Sequence, residues 1–238
     1  MGIGGRASYN GITFTDADKC VRTGEHGSAH LRPVPRWQRT VRKKLSRIPL
    51  LRGLTLFLHP GMGLALAALI VNDVLTLAGI FWGWGAADAV LLAAAAAVLI
   101  VLLIARRKKG GGIGAARRYH AAEHMAINAY EAGLSVTAKN VAAAERTHAR
   151  CGTNLAVVML PLSIPVALFC PYALALVPVV CAAYEIFLEL PKKRWLKPLL
   201  AACLWVQRHI TTAEPGEKEI EAAVRGMRRL AEGDQKVK

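Results

Sequence analysis

The positive charges of this chain are grouped, and this grouping restricts the folds that the sequence allows. Lysine and arginine together number 11 in residues 1–52, 9 in residues 106–150 and 11 in residues 192–238, whereas residues 53–105 and 151–191 contain none. Two apolar segments therefore lie between three basic ones, which is typical of an integral membrane protein with cytoplasmic basic segments. The net charge of +15 then needs no nucleic acid to explain it, because anionic lipid headgroups attract basic segments beside a membrane.

This division predicts an all-α integral membrane protein. It has two transmembrane or re-entrant helical hairpins, a cytoplasmic helical hairpin between them and an amphipathic C-terminal helix. The predicted segments are a basic cytoplasmic arm (1–48), a first membrane hairpin (49–105), a cytoplasmic helical segment (106–154), a second membrane hairpin (155–190) and an interfacial helix followed by a cytoplasmic C-terminal helix (191–238). Both chain termini face the cytoplasm in this arrangement.

The first apolar segment is long enough for two crossings of about 20 residues each. Gly61–Trp84 would cross once and Ala86–Ala105 would return. Asn72 and Asp73 lie near the middle of the first crossing. Polar groups at that depth indicate either a functional site or a polar contact with a neighbouring helix, and both interpretations stay open.

The second apolar segment, residues 155–190, is barely long enough to cross twice. Four prolines interrupt it, so we expect either a kinked hairpin that turns near Cys170-Pro171 or a shallow re-entrant hairpin. At the N-terminus, two short β-prone runs around Ile12 predict a small hairpin or an extended arm. The basic run Arg36–Arg47 is compatible with a helix on the headgroups and equally with a solvated linker.

The central basic segment holds the residues that are best suited to chemistry. Ala115–Ala132 is predicted to be a helix that ends at Gly133, since glycine is the usual residue just after a helix. His120 and His124 are four residues apart, so their rings leave the same face, as in helix-borne zinc sites. With Glu123 they form the order H-x-x-E-H, in which the glutamate serves as general base.

A second group of metal-binding side chains follows after a turn. Ser135 is a candidate N-cap for a helix over Val136–Thr147, and His148 and Cys151 come directly after it. Because this helix would return antiparallel to the first, we expect His148 and Cys151 to lie beside the two earlier histidines.

These residues together predict a Zn²⁺ site. Two ligands would come from His120 and His124, and a third from His148, Cys151 or Glu185. Either Glu123 or Glu131 would accept a proton from metal-bound water, whose pKa the metal lowers to about 7.

Several sequence blocks together resemble the YqhQ-like family of uncharacterised bacterial membrane proteins. The blocks are GGRASYNG (4–11), RIPLLRG (47–53), YHAAEHMAINAYE (119–131), HARCGTN (148–154), Tyr184-Glu185 and ITTAEP (210–215). Proteins of this family are often described as predicted metal-dependent enzymes of the bacterial inner membrane. The resemblance implies a multi-pass protein there, with important polar residues at His120, Glu123, His124, Glu131, His148, Cys151, Glu185, Thr212 and Glu214. Arg6 and Asn10 stand where the family usually has Gln and Glu, which implies a divergent member.

Two functions of different classes follow from this pattern. The first is a membrane-embedded, zinc-dependent enzyme that catalyses hydrolysis or transfer at the cytoplasmic face. The second is a non-enzymatic membrane-protein biogenesis or scaffold factor with a structural metal or none, since a site filled by four protein ligands is structural. Its partners would be anionic lipid together with a translocon, a ribosome, another membrane protein or a second copy of the chain. Nucleic acid is expected only indirectly, through a ribosome.

Overall fold

The structure is a computed structural model that describes residues 3–24, 27, 29–77, 112–170 and 173–235. The chain forms two compact units, each built from segments that are distant in sequence. Unit 1 comprises Met1–Pro35, Val101–Cys151 and Ala201–Lys238, and unit 2 comprises Arg36–Ile100 and Gly152–Leu200. The predicted return of the first membrane hairpin, Ala86–Ala105, lies outside the described residues.

Helices make up most of the described chain. The α-helices are α1 (Arg36–Leu45), α2 (Pro60–Leu77), α3 (Gly112–Glu131), α4 (Ala138–Ala143), α5 (Gly152–Phe169), α6 (Leu176–Glu189), α7 (Lys197–Val206) and α8 (Glu217–Gln235). Short 3₁₀ helices span Leu51–Leu58, Ala173–Ala175 and Arg194–Leu196, and one π-helical turn spans Gln207–Thr211.

Unit 1 begins with a β-sheet, so the prediction of an all-α fold is wrong for the N-terminal arm. Strands β1 (Gly4–Ser8), β2 (Gly11–Thr15), β3 (Lys19–Gly24) and β4 (His30–Pro33) form an antiparallel sheet in chain order. Ile12, Phe14 and Val21 are fully buried, whereas Arg22 on the other face is exposed. This alternation buries one face of the sheet and solvates the other, which stabilises strands in an otherwise polar segment.

One face of the sheet packs on α3 and α8 to form the core of unit 1. On α8, Val224, Met227 and Leu230 are buried, so the predicted amphipathic C-terminal helix is confirmed. Gly226 lies against the ring of Phe14, because a Cβ built there would be 2.9 Å from the ring atoms. The core thus fixes β1 and β2 against the helix that carries both histidines.

The central helical segment agrees with the sequence at its first helix and differs at its second. Helix α3 ends at Glu131, and Gly133 adopts the left-handed φ of +72° that favours glycine there. The predicted N-cap Ser135 is wrong, since Thr137 caps α4 and its hydroxyl oxygen accepts the N–H of Asn140. Helix α4 then ends at Ala143, so the chain continues as an irregular loop up to Cys151.

Unit 2 contains the apolar helices. Helices α5 and α6 pack together, and their connection begins near Cys170, where the sequence predicts the turn. On α2, the Asp73 carboxylate accepts the N–H of Leu174 (2.9 Å) and the amide of Asn72 (3.1 Å). Asp73 therefore makes a polar contact with a neighbouring element, which was one of its two interpretations.

Helix length and apolar composition determine which segments could cross a membrane. Within the described ranges, no single helix is both long and apolar enough to cross a bilayer. The segments Leu51–Leu58 and Gly61–Leu77 meet these criteria together, with a bend of 106° between them.

Candidate metal centre

Three side chains of unit 1 bring potential metal ligands together. His120 and His124 lie one turn apart on α3, with ring centroids 4.4 Å apart, and Cys151 lies at the end of the loop that follows α4. One ligand atom from each residue lies within 4.8 Å of the other two, and His120 Nε2 is 3.2 Å from Cys151 Sγ. The structure thus places Cys151 beside both histidines, as the sequence predicts.

Backbone carbonyls fix the orientation of both histidine rings. The Nδ1 of His120 lies 3.0 Å from the carbonyl oxygen of Thr211, and the Nδ1 of His124 lies 2.9 Å from that of Arg146. Because a carbonyl oxygen can only accept, each Nδ1 carries a proton, and in the neutral ring each Nε2 is an electron-pair donor. Histidine ligands in metal sites are usually held in this way.

The loop that carries Cys151 is bound along α3 by a stripe of side chains spaced four residues apart. Asn128 donates its side-chain amide to the carbonyls of Glu145 (2.6 Å) and Thr147 (2.9 Å). One turn earlier, His124 binds the carbonyl of Arg146, and one turn before that His120 meets Cys151. Asn128 was not among the predicted site residues, although it continues the four-residue spacing of His120 and His124 along α3.

Glu123 is buried next to this cluster. The residue is 4% exposed, and burial raises the pKa of its carboxyl group to about 8. Smaller effects come from His120, which lowers the pKa, from Cys151, which raises it, and from a hydrogen bond to the Ala7 backbone, which lowers it. Without a metal ion the carboxyl group is therefore mainly protonated at neutral pH.

The close packing of β1 on α3 depends on Gly5. A Cβ built on Gly5 would overlap the Glu123 side chain, since it would lie 2.6 Å from Glu123 Cγ and closer still to Oε1. The block GGRASYNG (4–11) thus has a glycine where the buried carboxyl group needs space. This role of Gly5 was not predicted from the sequence.

Replacing Gly5 by alanine is expected to destabilise the metal-free protein by about 1–3 kcal/mol, because the buried Glu123 side chain must move. The measurement is the midpoint of thermal unfolding. Gly4→Ala on the same strand is the matched control, since its nearest neighbour would be the Thr15 carbonyl oxygen at 3.9 Å. Equal midpoints for the two variants would contradict the proposed packing.

His148 and Glu131 bind each other and the adjacent backbone. The Nε2 of His148 lies 3.4 Å from Glu131 Oε2, and its Nδ1 accepts the N–H of Arg150 (3.3 Å). Burial lowers the pKa of His148, which favours its neutral form, and Glu131 also forms an ion pair with Arg150. Both ring nitrogens are thus engaged, and His148 is not part of the three-residue ligand group, although its ring centroid is 5.9 Å from that of His124.

Gln207 is a buried residue that organises the same region. Its side chain accepts the backbone N–H of His148 (2.9 Å) and donates to the His148 carbonyl (3.0 Å). Its own carbonyl accepts both the N–H (2.9 Å) and the hydroxyl (2.8 Å) of Thr212. Gln207 begins the π-helical turn whose last residue, Thr211, binds His120. Such turns are frequent at functional sites.

Other predicted site residues have partners of their own. Glu214 pairs with Arg146 at 3.0 Å. Glu185 belongs to unit 2, where its carboxylate accepts the N–H of Leu50 (2.9 Å) and lies 3.6 Å from the Arg52 guanidinium.

Comparison with known proteins agrees with the family resemblance. The chain is 33% identical over 126 residues to "Uncharacterized protein YqhQ" of Bacillus subtilis (strain 168); the match covers 48% of this chain and 39% of that protein. No solved structure matches the chain. Residues 61–232 match the family described as "Protein of unknown function (DUF1385)", and the chain belongs to this family.

Proposed function

We propose that this protein is a membrane-embedded, zinc-dependent enzyme that catalyses hydrolysis or group transfer at the cytoplasmic face of a bacterial inner membrane. The observation that carries the proposal is the convergence of three ligand atoms from His120, His124 and Cys151. Catalytic zinc sites characteristically use three protein ligands and leave the fourth position to water or substrate.

The donor set fits zinc. Imidazole nitrogen together with thiolate sulfur suits a borderline-soft ion better than the hard ions Mg²⁺ and Ca²⁺, which prefer oxygen. His120 and His124 are held by carbonyls through Nδ1, so each would bind through Nε2 without changing its orientation. A bound zinc ion would supply Lewis acidity and a water of lowered pKa.

Glu123 is the residue of this site that would hold or move a proton. It lies on the same helix as both histidines and is close enough to His120 and Cys151 to interact with them electrostatically. A hydrogen bond with the Ala7 backbone holds its carboxyl group, and the absence of a side chain at Gly5 leaves room for it. Glu131 is less suited to this role, because its carboxylate is engaged with Arg150 and His148.

The membrane setting is supported by the surface of unit 2. Large apolar side chains on α2 and α5 are exposed: Leu64, Val71, Val74, Leu77, Leu160 and Ile164. Large exposed apolar side chains on two helices suit contact with lipid or with another protein. A lipid, a lipid-linked molecule or a membrane protein is accordingly the proposed class of substrate.

Metal analysis of the full chain, purified in mild detergent, tests the proposal. We expect one zinc ion per chain. After exchange for Co²⁺, we expect a sulfur-to-metal charge-transfer absorption that Cys151→Ser abolishes and Cys20→Ser, at a half-buried cysteine of the sheet, preserves. Absence of stoichiometric metal, or an absorption that survives Cys151→Ser, would refute the zinc centre.

A non-enzymatic biogenesis or scaffold factor is the second candidate, and one distance favours it. The His148 ring lies 5.9 Å from that of His124, so a rotation away from Glu131 would offer a fourth nitrogen. A site filled by four protein ligands would be structural. Adding azide or cyanide to the Co²⁺ protein separates the two functions, because an open position binds the anion and changes the spectrum, whereas a filled site leaves it unchanged.

A further inference from the structure

Leu50, in unit 2, has an unusual backbone conformation and an exposed apolar side chain. Its φ is +66°, and among the described residues it is the one non-glycine residue with a positive φ. Such a conformation is unfavourable for a leucine, so the surrounding structure must hold it in place. The side chain is nevertheless 58% exposed. Burial therefore does not explain why the backbone adopts this conformation.

The segment that follows Leu50 is fixed to α6. The Glu185 carboxylate accepts the N–H of Leu50 and lies beside the Arg52 guanidinium. Gly53 is buried against the backbone of Cys181, where a Cβ would lie 2.6 Å from Cys181 Cα. These contacts fix the start of the 3₁₀ helix against α6, with the Leu50 side chain exposed.

Further exposed apolar residues surround Leu50 in sequence. Ile48 and Leu51 are 50% and 39% exposed, and Trp37 on the adjoining helix α1 is 58% exposed. Helix α1 is fixed to the same 3₁₀ helix, since Gln38 donates its side-chain amide to the Leu58 carbonyl. We call Ile48–Leu51 the insertion loop.

The insertion loop lies next to a purely basic helix. Helix α1 contains five arginines and lysines and no acidic residue, and it is strongly amphipathic. Arg36, Lys43 and Lys44 are exposed, and Arg47, also exposed, connects the helix to the loop. Each such charge is attracted to an anionic membrane that lies close to it. Exposed leucine, isoleucine and tryptophan beside basic residues suit the boundary between headgroups and acyl chains.

We infer that α1 and the insertion loop form a docking surface for an anionic lipid bilayer. Leu50, Ile48 and Leu51 enter the acyl-chain boundary, while α1 binds the phosphates of the headgroups. Glu185 serves this surface by holding Leu50 in its outward conformation. The inference rests on the membrane setting of the proposed function and is independent of the metal centre.

Photo-crosslinking tests the docking surface in the full chain. A diazirine-bearing amino acid is placed at Leu50, and the protein is reconstituted in vesicles of equal parts phosphatidylcholine and phosphatidylglycerol or of phosphatidylcholine alone. We expect lipid adducts at Leu50 that are at least about threefold more abundant in the anionic vesicles, because the basic helix strengthens the contact. The double variant Lys43→Gln/Lys44→Gln should reduce this difference, because it removes two of the five positive charges of α1.

Two controls make the result specific. Lys139→Gln removes an exposed charge from α4 in unit 1 and should leave the adduct yield at Leu50 unchanged. The same photoreactive group at Leu134, which is 50% exposed in unit 1, should give no dependence on lipid charge. Adducts at Leu50 with water or protein only, or equal lipid yields in both vesicle types, would overturn the inference. Zinc content, measured in the same samples, reports separately on the metal centre.

Discussion

Replacing His124 by alanine is expected to weaken Zn²⁺ binding by roughly a hundredfold or more. Structural zinc sites with four ligands have apparent binding free energies of about 10–16 kcal/mol, so one ligand contributes on the order of 3 kcal/mol. A tenfold change in affinity corresponds to about 1.4 kcal/mol. The substitution also removes the donor that binds the carbonyl of Arg146 and so loosens the loop that carries Cys151. Competition with a chromophoric chelator measures the affinity.

Two other histidines make this prediction specific. His209→Ala should bind zinc like the unmodified chain, because His209 is exposed and stacks on Trp205 with ring centroids 4.7 Å apart. His148→Ala should cost less than His124→Ala in an open three-ligand site and about as much in a filled four-ligand site. Unchanged affinity in His124→Ala would show that zinc does not bind at this helix.

The sequence could predict the first half of the site because that half is local. The spacing of His120 and His124 places both rings on one face of any regular helix. The chain between Gly133 and Cys151 is long enough to return along that helix, which brings Cys151 near them. The helical spacing of the histidines and the short connection to Cys151 were therefore sufficient to predict these three ligands.

The parts that the sequence could not predict depend on distant contacts. His148 was an equally good candidate ligand by residue type, but a buried glutamine nearly sixty residues later binds its backbone, and Glu131 binds its ring. Likewise, the orientation of His120 depends on the backbone carbonyl of Thr211 in the π-helical turn. The pattern of side chains in a sequence does not indicate where a distant backbone carbonyl will lie. Residue type indicates what can bind a metal, whereas the tertiary structure determines which of the candidate ligand atoms lie together.

The N-terminal sheet was predicted only in part. The β-prone runs around Ile12 predicted a small hairpin or an extended arm, and β1 and β2 form such a hairpin, whereas β3 and β4 were missed for a related reason. Lys19–Gly24 reads KCVRTG, and its two charged residues conceal the alternation in which Val21 and Thr23 face the core. Strand propensity is weak when one face is solvated, and burial against α3 and α8 provides the missing stabilisation. The sheet also affects the candidate metal site, because Gly5 and Ala7 of β1 contact the buried Glu123.

In metal-free protein, stability is expected to fall as the pH rises from about 4.5 to about 8, and Glu123→Gln should flatten this fall. Burial raises the folded-state pKa of Glu123 to about 8 from its ordinary 4.5. Between these values the folded state keeps a proton that the unfolded state has lost. The stabilising contribution is therefore complete below pH 4.5 and is lost as the pH passes through 8. The loss amounts to a few kcal/mol.

Urea unfolding at several pH values in the presence of a chelator measures this slope. Glu219→Gln is the matched control, because Glu219 is as deeply buried but forms an ion pair with Arg118 at 3.0 Å. That variant should be less stable throughout and keep the downward slope, since Glu123 is intact. Zinc should reverse the slope, because its charge favours the Glu123 carboxylate and its ligands must be deprotonated. A slope that is identical in Glu123→Gln and in the unmodified chain would mean that Glu123 is hydrated rather than enclosed by Gly5 and α3, and the residue would then lose its role as the buried proton carrier of the site.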